Sequence, residues 1–219
     1  MNAIPGIKLI VFDVDDTLAE GKIWQRLTTT LGWSWDIHQK IYHERLAGLR
    51  TYKDTHALVL SEYKKTGNAY RAFIENILTQ TVLKPYAKEL MNLLRQNGFT
   101  VHLLSGGFKM HVAEVARQLG VDGYSASRDF IFDSEGNLFD ITGNESDRSW
   151  KSEELIRICD QYSIDRDAVY IVGDGENDID IFQQVPHSIA VHTTDSRILE
   201  YAWKEARSLE EIPMILGIK

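Results

Sequence analysis

The sequence predicts an α/β protein: a doubly wound parallel sheet of the Rossmann-like kind, with helices inserted after its first strand. Three observations carry this. Short apolar runs of strand length recur at residues 8–12, 100–104 and 168–172. Segments with apolar residues at helical spacing alternate with them and stop at glycine. The one long stretch without a strand signature, residues 19–83, sits between the first strand and the next helix. Strand and helix in alternation imply a parallel sheet covered on both faces.

Lys8-Leu9-Ile10-Val11-Phe12 is too uniformly apolar for a strand with one wet face, so it reads as a central strand ending at Asp13. Residues 86–97 place Leu90, Leu93 and Leu94 on one helical face and meet Gly98. Residues 108–119 repeat that pattern with Val112, Val115, Ala116 and Leu119, then Gly120. Ser149 is a candidate N-cap for a helix reaching Tyr162, and Cys159 shares its stripe with Leu155, Ile158 and Tyr162. Residues 188–191 read as a further strand. Residues 123–143 break the rhythm, and Asp133-Ser134-Glu135-Gly136-Asn137 reads as a turn between two short antiparallel strands.

Domain boundaries follow. Residues 1–18 and 84–219 form the core, and residues 19–83 form a helical cap. In the cap, Tyr70, Phe73, Ile74, Ile77 and Leu78 make one apolar stripe and Trp24, Leu27 and Leu31 another. The cap carries nine Lys/Arg and six Asp/Glu within a chain of net charge −8. That contrast fits either a solvated helical surface or a lid that attracts anions.

Composition excludes several function classes. Hydrophobic residues make up 43 % of the chain, enough for a buried core. The acidic balance argues against a nucleic-acid partner, which needs clustered cations. No run reaches the ~18 apolar residues of a membrane helix. Met1-Asn2-Ala3-Ile4-Pro5-Gly6 lacks the pattern of a secretory leader, and the single cysteine suits a reducing compartment, so a cytoplasmic location is expected.

Four segments carry chemistry. Asp13-Val14-Asp15-Asp16-Thr17 follows the first strand and sets two carboxylates two residues apart. One can act as a nucleophile that forms an acyl phosphate, and the other as general acid and then base. Ser105-Gly106-Gly107 follows a strand and leads into a helix, joining a hydroxyl to an approachable backbone. Lys151 stands in the expected first helical turn, where the helix dipole disfavours a cation, so phosphate neutralisation is one reason for it. Gly173-Asp174-Gly175-Glu176-Asn177-Asp178 follows the strand at 168–172 and offers hard oxygen ligands. Asp174, the Asp13 carboxylate and the Asp15 carbonyl would suffice for Mg2+, with Asp178 on the same side.

In these four motifs the sequence resembles the haloacid dehalogenase superfamily, and its phosphoserine phosphatase-like branch most. The resemblance implies that Asp13 attacks phosphorus and Asp15 protonates the leaving group. It also implies that Ser105 and the Gly106 backbone hold phosphoryl oxygens, and that Lys151 bridges to the phosphoaspartate. The resemblance further implies that Asp174 holds magnesium, that Asp178 positions the metal's waters or Lys151, and that Asn177 contacts phosphate; Thr17 reads as supporting the loop or binding a phosphoryl oxygen. The expected substrate is a small phosphorylated metabolite. The departures lie in recognition. Lys22 stands where the branch places a glutamate for the substrate amine, with Glu20 two residues early. The branch's cap arginine falls near Ala57, beside His56, with Arg45 and Arg50 as substitutes. The remaining histidines read mostly as surface or strand residues, and Trp24, Trp33 and Trp35 as cap packing or a lid. A phosphotransferase, or a non-catalytic phospholigand-binding module of the receiver type, remains as an alternative to the phosphatase.

Overall fold

The computed structural model describes residues 8–218, so Met1-Asn2-Ala3-Ile4-Pro5-Gly6 lies outside the described residues. A seven-stranded sheet runs in the order β4-β3-β2-β1-β5-β6-β7. Its strands are β1 (Lys8–Phe12), β2 (Phe99–Phe108), β3 (Gly123–Phe132), β4 (Leu138–Thr142), β5 (Val169–Gly173), β6 (His187–Val191) and β7 (Lys204–Ala206). All neighbours pair in parallel except β3 and β4, which form the antiparallel flank expected from the turn at 133–137.

The central position of β1 follows from its side chains. Ile10 and Phe12 enter one core cluster, with Leu90, Leu94, Val112 and Val115 of the helices α5 (Ala87–Gln96) and α6 (Lys109–Leu119). Leu9 and Val11 enter the cluster on the opposite face, with Leu155, Ile158 and Cys159 of α7 (Asp147–Tyr162). A strand with period-two side chains and no polar face has to be covered on both sides. The ends of β1, β2 and β5 therefore reach one sheet edge together.

Between β1 and α5 the chain forms α1 (Ile23–Leu31), α2 (Trp35–Leu46), α3 (Tyr52–Lys65) and α4 (Arg71–Thr79). Leu27, Leu31, Val59, Ile74, Ile77 and Leu78 give these helices a core of their own. Phe108 and the β4 residues Leu138 and Ile141 join it. The β3–β4 hairpin is also tied to the inserted helices by main-chain bonds, Leu138 N to Ala69 O at 2.8 Å and Arg71 N to Gly136 O at 2.8 Å.

Three local expectations need correction. Ser146, not Ser149, caps α7, its hydroxyl accepting from Ser149 N. Lys151 consequently lies in the second turn, not the first. β2 does not stop at Leu104 but continues through Ser105, Gly106 and Gly107 to Phe108, with a register shift against β3 between Ser105 and Phe108. The serine–glycine motif is thus an irregular strand end rather than a helix N-terminus. Finally, His38 and His111 are buried on helices instead of lying on the surface or in a strand, whereas His102 lies in β2 as a strand residue and is also buried.

His38 has a physical reason to be inside. Thr28 Oγ1 lies 2.8 Å from His38 Nδ1 and 2.8 Å from Tyr63 Oη, so one buried hydroxyl bridges the phenol and the imidazole. Trp24, Trp33 and Trp35 ring the imidazole at centroid distances of 5.5, 5.3 and 5.2 Å. Removing the hydroxyl strands two buried polar atoms. Thr28→Val is expected to cost about 1–3 kcal/mol, read as a lower urea midpoint at an unchanged slope.

Burial drives both His38 and His102 down to about 4. Both stay neutral in the fold at pH 5–6, whereas an unfolded chain protonates histidine below about 6.5. The unfolded state binds more protons in that window, so stability is complete above about 6.5 and declines as the pH falls toward 4. Urea midpoints at pH 7.5 and 5 should differ in that sense, and His102→Gln should reduce the difference.

Candidate active site

The first loop begins at the C-terminal end of β1, where Asp13 N donates to Val172 O of β5 at 2.9 Å. That bond places Asp13 beside the other acidic loop. Asp16 takes a positive φ of 59° and accepts from Gly21 N at 3.0 Å, which turns the chain. Thr17 is fully buried and donates to Asp174 Oδ1 at 2.6 Å, joining the two acidic loops.

At the centre lies Lys151, fully buried, its Nζ donating to Asp13 Oδ1 and Asp178 Oδ1 at 2.7 Å each. Burial alone would lower the lysine's pKa, but the two carboxylates overcome it and hold the ammonium charged. The opposite strain falls on the acids. Burial raises the Asp13 carboxyl well above its ordinary range; Lys151 offsets part of this, and Asp178 and Asp174 add repulsion. Asp174 is pushed up to about 7, first by burial and then by Asp178.

Asp13, Asp174 and Asp178 each present an oxygen within 4.8 Å of the others. Three carboxylates share one lysine, so the cluster holds excess negative charge in a low-dielectric setting. A hard divalent cation with oxygen ligands fits that donor set, and it would relieve the repulsion on Asp13 and Asp174. Asp178 is already held by Lys151 and by Gly175 N at 3.1 Å, which suits an orienting role.

The glycines in these loops are steric requirements. A Cβ on Gly173 would lie 2.4 Å from Asp178 Oδ2, and one on Gly106 would lie 2.9 Å from the Asp147 carboxyl carbon. Ser105 is buried and its Oγ accepts from Gly107 N at 3.0 Å, which leaves its own proton to donate toward the cavity. Arg128 Nη1 donates to Gly106 O at 2.6 Å and pairs with Asp147 at 2.5 Å, fixing the bulged end of β2.

The Asp15 carboxylate turns to a different partner. His111 Nε2 donates to Asp15 Oδ1 at 3.0 Å, while His111 Nδ1 lies 3.0 Å from Thr81 Oγ1. Sequence reading missed His111, Arg128 and Asp147. The available signal for His111 was a polar residue next to Val112 in an apolar helical stripe.

The site opens onto a cavity of about 450 Å³. Asp13, Asp15, Ser105, Gly106, Asp174 and Asn177 line one end, whereas Lys151, Thr17 and Asp178 lie behind the wall. Lys22, Trp24, Arg45 and His56 line the other end. Ala57 and Arg50 are not among the lining residues, and Arg50 pairs with Glu44 at 2.8 Å. His56 is fastened to the hairpin by Ile141 O at 2.8 Å and Asp140 at 3.1 Å.

Comparison with known proteins gives this arrangement a family. A family model described as haloacid dehalogenase-like hydrolase matches residues 7–185. A phosphoserine phosphatase of Methanocaldococcus jannaschii is 28 % identical over 184 residues, 84 % of each protein. One of Mycobacterium tuberculosis is 28 % identical over 180 residues, covering 80 % of this chain but only 41 % of that longer protein. Among solved structures, a substrate-bound phosphoserine phosphatase complex superposes with a TM-score of 0.77 at 25 % identity over 99 % of this chain and 100 % of that one. A phospho-aspartyl intermediate analogue of phosphoserine phosphatase gives 0.76 at 26 % identity, over 97 % and 99 %. With a model match across most of its length, the chain belongs to the haloacid dehalogenase-like hydrolase family.

Proposed function

We propose that this hydrolase of phosphoric monoesters works on a small phosphorylated metabolite in the cytoplasm, with Mg2+, through a phosphoaspartyl intermediate on Asp13. The observation that carries the reading is the buried Asp13–Lys151–Asp178 arrangement beside Asp15 and Ser105, at the end of β1. In this reading residues 1–18 and 84–219 are the catalytic core and residues 19–83 its cap. The single, buried Cys159 supports the reducing location, and the net charge of −8 favours a metabolite over nucleic acid.

Lys151 holds one Asp13 oxygen, which orients the carboxylate toward the phosphorus of a bound ester. Ser105 Oγ and the Gly106 N–H bind phosphoryl oxygens and gain strength as charge develops there. The Asp13 oxygen forms the new bond to phosphorus as the ester oxygen leaves, and Asp15 gives that oxygen its proton. Asp15 then takes a proton from water, whose oxygen attacks the phosphoaspartate, releasing inorganic phosphate and restoring Asp13. Mg2+, held by Asp13, Asp174 and the Asp15 carbonyl, would supply charge neutralisation for the phosphoryl oxygens. Thr17 keeps Asp174 in place, and Asn177 faces the phosphoryl end.

The test is turnover of p-nitrophenyl phosphate (pNPP) with and without magnesium, with product analysis. Magnesium-dependent release of free phosphate is expected. Binding of phosphate or beryllofluoride with no turnover of any ester would turn the reading toward a phospholigand module.

His111 bears on the same mechanism. With its Nε2 proton on Asp15 Oδ1, it leaves Asp15 Oδ2 to face the leaving group. His111→Phe is expected to lower kcat about tenfold with little change in KM, and His111→Gln, which keeps a donor, to recover part of it. A change in KM alone would mark His111 as packing only.

A further inference from the structure

The wall that the inserted segment gives to the cavity has one sign of charge. Thirteen lining residues come from the inserted helices, and none is Asp or Glu. Lys22 and Arg45 are the formal cations of that wall. The Lys22 side chain has no hydrogen-bond or ion-pair partner among the described residues, and the Arg45 guanidinium donates only to the Glu145 carbonyl, at 2.5 Å. The acids of α2 do not line the cavity itself: Asp36 and Glu44 line an adjoining surface groove that shares Gln39 and His43 with it.

On the core side one lining carboxylate, Glu176 in the loop after β5, has no side-chain hydrogen bond or ion pair among the described residues. Asp147 is committed to Arg128 at 2.5 Å. The two guanidiniums nearest in charge to Glu176 are held by other acids, Arg148 by Asp180 and Arg197 by Asp195 at 2.6 Å. The acids that remain, Asp13, Asp15 and Asp174, belong to the phosphoryl end.

A pocket lined by Trp24, Trp35, Tyr42 and Tyr52 invites comparison with the aromatic cages that bind quaternary ammonium. Two of those rings are already covered. The Arg128 guanidinium lies 5.4 Å over Trp24, and that of Arg45 lies 5.1 Å over Tyr42. A substrate cation would meet guanidinium there. A substrate anion would meet a donor fork whose plane is already set by stacking, at little further cost in side-chain entropy.

We propose that the alcohol half of the substrate carries a second anionic group and no ammonium, with Lys22 and Arg45 as its anchors. A phosphorylated hydroxy acid or a short bisphosphate has that chemistry, and an amino-alcohol ester does not. The inference rests on the phosphatase reading above and narrows it.

Four esters of similar size separate the possibilities: 3-(phosphonooxy)propanoate, propane-1,3-diol bisphosphate, O-phosphoserine and O-phosphoethanolamine. At least one of the first two should exceed O-phosphoserine in kcat/KM by tenfold or more, and O-phosphoethanolamine should be slowest; whichever leads identifies the anion as carboxylate or phosphate. O-Phosphoserine or O-phosphoethanolamine matching the better anionic ester overturns the proposal. Wild-type pNPP turnover, which needs neither group, keeps the two claims apart: if it is absent, the phosphatase reading fails; if it is present with the ammonium esters preferred, only this inference fails. Lys22 is exposed and caps α1 without a side-chain bond, so Lys22→Glu should fold, as a melting curve will verify. That variant should raise KM for the preferred anionic ester at least fivefold and shrink its advantage over O-phosphoserine. An unchanged ratio removes Lys22 as an anchor and overturns the proposal as stated.

Discussion

Asp13→Asn should reduce magnesium-dependent pNPP turnover by at least about 10⁴-fold, since loss of a covalent nucleophile removes the reaction path rather than one contact. The substitution is nearly isosteric and leaves an oxygen in reach of Lys151 Nζ, which now lies 2.7 Å from Asp13 Oδ1. Its effect should therefore fall on kcat and not on folding. Two controls make the result specific. Phosphate should still protect the variant against thermal unfolding, because Ser105 and the Gly106 amide are untouched. Acid-quenched wild type should retain a base-labile phosphoryl group that the variant lacks. Turnover within tenfold of wild type would remove Asp13 from the nucleophile's role.

Asp13 was legible in the sequence because its signal is local. A buried strand has to end where the carboxylates begin, and residues 8–12 are too apolar to be anything but a central strand. The acidic loop after β5 was legible for the same reason. Parallel pairing of β1 with β5, Phe12 opposite Val172, then brings the two loops to one edge. What stayed hidden depends on distance along the chain. His111 reaches Asp15 across 96 positions, and Arg128 reaches Asp147 only because a bulged β2 and the hairpin beside it bring them together. The extension of β2 through Gly106 and Gly107 contradicts the usual meaning of two glycines after a strand. It is stabilised by tertiary partners, the Arg128 bond to Gly106 O among them, that no local pattern shows. The start of α7 was misplaced by one turn because Ser146 and Ser149 are both competent caps, and only the observed bond to Ser149 N distinguishes them.

Lys151 should be the residue whose loss affects stability and catalysis together. Its ammonium is fully buried between Asp13 and Asp178, with every neighbouring charge negative. Lys151→Met preserves the volume but leaves two carboxylates facing each other with no cation. Breaking a buried ion pair on one side typically costs about 3–5 kcal/mol, and that range is expected here in magnesium-free buffer. The penalty comes from the stranded acids, so removing one of them should repay part of it. Asp178→Asn alone should destabilise, because it takes a partner from Lys151, whereas Lys151→Met with Asp178→Asn should be more stable than the sum of the single changes allows. Magnesium should stabilise Lys151→Met more than wild type, since a divalent ion at Asp13 and Asp174 takes over the missing compensation. Activity should not follow stability: the double variant should remain inactive, because no ammonium then holds the second Asp13 oxygen and keeps the first in line with phosphorus. Urea titrations of the four proteins with and without magnesium measure the cycle. Strict additivity would show that the lysine and the two acids are not energetically coupled, and the electrostatic account of the site would fall with it.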